Sequence, residues 1–72
     1  MSGIYQVIEV ESESPEGVKA AVDRCLAEIE RTGREILFFV LRDTELSEDA
    51  SRQIITKVRL RVGINVPVSY GA

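Results

Sequence analysis

Three cations at every second position, Lys57, Arg59 and Arg61, are the residues of this chain best equipped for chemistry. Their spacing puts all three on one face of an extended strand. Such a row can bind anions, because Arg grips phosphate through paired hydrogen bonds and Lys adds a point charge. The neighbouring aromatics Phe38 and Phe39 supply a second capability. On a strand they point to opposite faces. Two readings of each group are open. The cations either pair with Glu9, Glu11 or a neighbouring subunit, or they hold phosphate. The two rings either pack, one in a core and one at an interface, or Phe38 stacks on a planar ligand near a symmetry axis.

Catalysis has no visible basis here. The chain has no His and one Cys, and no nucleophile–base pair can be assembled, so a non-enzymatic protein is expected. Cys25 falls on an apolar helix stripe and reads as a small core residue. A metal site is not expected from one Cys and no His. The acidic segment with Asp43, Glu45, Glu48 and Asp49 lacks the spacing of a calcium loop and reads as a solvated turn. An ion on a symmetry axis of an assembly stays open.

The 72 residues read as one domain. A chain this short buries little surface and needs disulfides, a metal, a very regular core or partner copies. A single cysteine excludes an internal disulfide, so oligomerisation is the remaining route. A net charge of −3 argues against nucleic acid as a partner. No stretch is apolar and long enough to span a membrane. No basic segment followed by an apolar run opens the sequence, so a cytoplasmic location is expected.

The elements that must position these residues follow from periodicity. IYQVIEVE, residues 4–11, reads as a strand whose second half splits into apolar and acidic faces. Ser14 is placed as a helix N-cap, Pro15 at the first helical position and Glu16 against the helix dipole. The helix runs to about Thr32. Its core stripe is Val18, Ala21, Val22, Cys25, Leu26 and Ile29. Lys19–Asp23 and Arg24–Glu28 pair on its outer side, Arg31 favours its C-terminal end, and Gly33 stops it. ILFFVL, residues 36–41, is apolar on both faces and must be covered on both. The single helix is assigned to one of them, which leaves the other for partner copies or a ligand. Residues 42–51 read as a polar, acidic loop. IITKVRLRVGINV, residues 54–66, alternates cleanly as one long strand that Pro67 ends, followed by a tail. The predicted fold class is α+β: β-α-β-β, a three-stranded antiparallel sheet of order 1-3-2 on one helix, with a right-handed crossover. Glu9 and Glu11 then lie beside the cation row, each cross-strand pair contributing roughly 0.2–1 kcal/mol.

IYQVIEVESESPEGVKAAV, the FF of the second strand, Asp43-Thr44 after it and KVRLRVGI at the end together resemble the dodecins. The resemblance runs from about Ile4 to Ile64. Dodecins are small β-α-β-β flavin-binding proteins that assemble as hollow dodecamers, helices outside and sheets inside. The resemblance therefore implies a homododecamer that stores a cofactor: riboflavin, FMN or FAD, with coenzyme A as another anionic aromatic candidate. It also implies a site. The family's flavin-stacking Trp falls on Phe38, and its hydrogen-bonding Gln on Lys57. Phe keeps a π face with less area and no indole N–H, and Lys donates but cannot accept. Arg59 and Arg61 complete the implied cofactor-binding set by neutralising charge. The other expectation is a structural scaffold, in which the two changes record a lost site.

Overall fold

The computed structural model describes residues 4–66. Pro67 and the tail assigned from sequence lie outside the described residues. The order is β1 (Ile4–Ser14), α1 (Val18–Arg31), β2 (Ile36–Glu48) and β3 (Ile54–Val66). The sheet order is β1-β3-β2, and β3 pairs antiparallel with both neighbours. The α+β class and the 1-3-2 order are as expected. No described helix is long and apolar enough to cross a membrane.

The core is narrow. Ala21, Cys25 and Ile29 of α1 meet Val58, Leu60, Val62 and Ile64 of β3, all buried. Ile8, Val10, Val22, Leu26 and Ile36 pack around them. Each large core side chain contributes roughly 1.5–3 kcal/mol by leaving water. The helix stripe is as predicted except at its first member, since Val18 is exposed.

Three details differ from the sequence reading, each for a reason in pairing. First, β1 continues past Glu11 to Ser14, because Ser14 pairs with Thr56 and both are buried. Ser14 is therefore not the N-cap. Its Oγ accepts from the Glu16 N–H at 3.0 Å and closes the turn that leaves the strand. Gly17 holds the N-cap position at φ 107°, a conformation open to glycine, and Pro15 and Glu16 precede the helix. Second, residues 42–48 are strand and not loop. Thr44, Glu45, Leu46, Ser47 and Glu48 pair in turn with Val58, Lys57, Thr56, Ile55 and Ile54. The turn is confined to the residues around Asp49, whose Oδ1 accepts from the Ser51 and Gln53 N–H groups at 2.8 and 2.9 Å. Third, Arg24 does not pair with Glu28. It donates to the Glu13 carbonyl at 2.8 Å and ties the helix to the end of β1, while Lys19–Asp23 forms at 2.9 Å as expected. Gly33, at φ 84°, ends the helix as predicted.

The largest correction concerns β2. The helix was expected to cover one of its faces. Instead α1 lies over β1 and β3 and touches β2 least. Leu37, Phe38, Phe39, Val40 and Leu41 are each between 41% and 50% exposed. One fourteen-residue helix cannot span three strands, and it settles over β1 and β3. From Leu37 onward, both faces of β2 are largely open. Register shifts at Leu37 and Arg42 bend the strand and place Ile36 on the helix side but Phe38 on the other.

Cys25 gives a direct check of this packing. It is 3% exposed, and burial pushes its thiol pKa up. Native protein should react slowly with a thiol reagent and fully after denaturation. Rapid stoichiometric labelling of the folded protein would show that the helix register is wrong.

Candidate functional site

The face of the sheet turned away from α1 carries the candidate residues. Register orders it in rows. Val7, Gly63 and Phe38 form one; Glu9, Arg61 and Val40 the next; Glu11, Arg59 and Asp43 the third; Glu13, Lys57 and Glu45 the fourth. Lys57, Arg59 and Arg61 thus share a face with Phe38. Phe39 lies on the helix side, opposite Val62.

The cations are not free. Arg61 pairs with Glu9, Arg59 with Glu11, and Lys57 with Glu11, each at 3.3 Å. The side chains involved are about half exposed, so each pair contributes little to stability. Hydrogen bonding and the charge of Lys57, then Arg59, hold the Glu11 carboxyl below its ordinary pKa. Asp43 and Glu45 face Arg59 and Lys57 from the other side. These two carboxylates were expected in a solvated turn; strand pairing brings them beside the cation row instead. The alternation of Asp43, Thr44, Glu45, Leu46 and Ser47 was the available signal for them.

At the other end of the row sits an aromatic cluster. Tyr5 and Phe38 come from the two outer strands and meet across β3, ring centroids 5.6 Å apart at 79°, an edge-to-face contact. Such a pair adds roughly 0.5–1.5 kcal/mol beyond burial. Within one subunit this cluster has Arg61 one row away, about 7 Å along the strand. Lys57 is three rows away, roughly 20 Å. The structure therefore brings Phe38 and Arg61 together, with Arg59 next and Lys57 remote. Tyr5 and Gly63 were not singled out as site residues from sequence, because their contact with Phe38 needs both outer strands in register.

The face is shallow. Its dimple, lined by Asp43, Glu45, Lys57, Val58 and Arg59, holds about 10 Å³. A ring laid on Phe38 would be covered on one side only. The larger clefts lie elsewhere; one of about 380 Å³ runs between α1 and β1, past Cys25, Thr32 and Arg34. Among the described residues no three Asp, Glu or Cys side chains gather closely enough to hold a metal ion.

The Glu11 pairing predicts a pH effect with a definite sign. A carboxyl whose pKa is lowered on folding stabilises the fold above its unfolded value, and loses that effect as pH falls through the folded value. Wild type should therefore exceed Glu11→Gln in stability at neutral pH. The gap should close from about pH 4.5 downward. Denaturant melts of both proteins across that range measure it; a gap that widens on acidification would contradict the pairing.

No family model matches the sequence, and no curated protein matches it with significance. Solved structures do match. A tryptophan-to-phenylalanine mutant of the Thermus thermophilus dodecin is 25% identical over 93% of this chain and 100% of its own, with a TM-score of 0.82. The dodecin of Streptomyces coelicolor is 26% identical over 92% of this chain and 94% of its own, with a TM-score of 0.81. The calcium dodecin of Mycobacterium tuberculosis, described as calcium-chelating, is 17% identical over 97% of this chain and 100% of its own, with a TM-score of 0.81.

Proposed function

The chain belongs with the dodecins in fold, and from that premise we propose that it is a non-enzymatic, homo-oligomeric binding protein for a planar aromatic cofactor. The oligomer is a closed dodecamer, and the cofactor is a flavin: riboflavin, FMN or FAD. Coenzyme A is the other member of the same class, an anion with an aromatic end. One observation carries this reading. Phe38 presents a half-exposed ring on the open face of the sheet, steadied by Tyr5 and one row from Arg61.

The mechanism is stacking between copies. A flat face with no cavity holds a flat ligand only if a second surface closes over it. Bare β2 requires such a surface in any case, so one contact between subunits satisfies both needs. Phe38 then stacks on the isoalloxazine. Arg61, with Arg59 behind it, faces the charged side chain of FMN or FAD. Lys57 reaches the same ligand only from a neighbouring copy. Each cation must loosen from Glu9 or Glu11 to do this, so a phosphate gains less here than at an unpaired cation.

That same pairing favours a second reading, a scaffold without a bound cofactor, in which the row only fixes strand register. Titration of riboflavin and FMN against wild type, Phe38→Trp and Phe38→Ala separates the two. On the binding reading, wild type binds. Phe38→Trp tightens binding by about 1 kcal/mol, or roughly fivefold, through added ring area, and Phe38→Ala weakens it. Phe38→Trp should also quench flavin fluorescence more deeply, since tryptophan is easier to oxidise than phenylalanine. No affinity of wild type for either flavin, or for coenzyme A titrated in parallel, would establish the scaffold.

A further inference from the structure

Gly63 is on the exposed face of the sheet and is nonetheless buried. What buries it is the ring of Phe38. A Cβ built on Gly63 would lie 2.8 Å from Phe38 Cδ2 and closer still to Cε2 and Cζ. A methyl group there is incompatible with the ring where it lies, so the ring rests directly on the Gly63 backbone. The same absence opens the way across the central strand. β1 and β2 are not neighbours, yet Tyr5, opposite Asn65 and one row on from Gly63, touches Phe38 diagonally across β3. A side chain at position 63 would lift the Phe38 ring off the sheet and part it from Tyr5. The register shift at Leu37 completes the seat, because it sets Phe38 opposite Gly63 and turns it to the open face.

The geometry points to Gly63 as a positioning residue for the aromatic ligand. It fixes the position of the Phe38 ring on the backbone, so that the exposed part of the ring is offered for stacking. This rests on the flavin-site reading above and deepens it: the site is a pre-set platform and not a mobile side chain. A platform held on both sides loses little freedom when a ligand stacks on it, which favours binding.

The test is a double-mutant cycle read by riboflavin affinity, with oligomeric size measured on every variant. Gly63→Ala should weaken riboflavin binding roughly tenfold in protein that still assembles, the scale of a lost aromatic contact. In a Phe38→Ala background, Gly63→Ala should change affinity no further, because no ring remains to displace. A merely structural glycine would not show that coupling. Gly63→Ala that assembles and binds riboflavin as wild type does would overturn this inference and leave the proposed function standing. Wild type without affinity for riboflavin, FMN or coenzyme A would overturn both. If Gly63→Ala fails to assemble, the pair Gly63→Ala with Phe38→Ala decides. Restored assembly shows that the clash was with the ring and supports the platform; continued failure shows that the backbone itself requires glycine and overturns it.

Discussion

The structure depends on one constraint: a single helix can cover two strands of a three-stranded sheet, not three. β3 sits in the middle and supplies four of the buried core side chains, Val58, Leu60, Val62 and Ile64. α1 lies over it and over β1. β2 is left with apolar residues open to water on both faces, among them Phe39 and Leu41 on the helix side and Phe38 and Val40 on the other. So much exposed apolar surface on so small a chain marks an interaction surface. The ligand reading and the assembly reading both follow from it.

Electrostatics sets register more than stability on the open face. Five carboxylates, Glu9, Glu11, Glu13, Asp43 and Glu45, flank the three cations of β3. A slip of β1 by one residue would separate Glu9 from Arg61 and turn Tyr5 and Val7 toward the helix. Exposed pairs of this kind are individually weak, yet together they oppose a single wrong alignment. The excess of acid also shapes any site here, because an anionic ligand must compete with carboxylates already in place.

Local pattern made much of this fold legible. The period-two alternation of Ile54–Val66 located the central strand and its cation row, and the helix stripe located the core. Gly33 marked the helix end because only its left-handed backbone could do so. The boundaries that were missed depend on distant partners. Ser14 is strand because Thr56 lies opposite, and residues 42–48 are strand because β3 is long enough to pair with them. Polar composition argued for a loop there, and pairing overrode it. The site divided in the same way. Phe38 and the cations were identifiable by residue type and parity. The meeting of Tyr5 with Phe38 over Gly63 requires three strands in register, which no local pattern specifies.

The central claim is that β2 is covered by other copies of the chain. Analytical ultracentrifugation of the native protein at micromolar concentration tests it most directly. The account predicts one sharp species about twelve times the 8.0 kDa chain mass, with no folded monomer in equilibrium. A single species at the chain mass that retains its full secondary structure would contradict it, because β2 would then be stable in water with both faces bare.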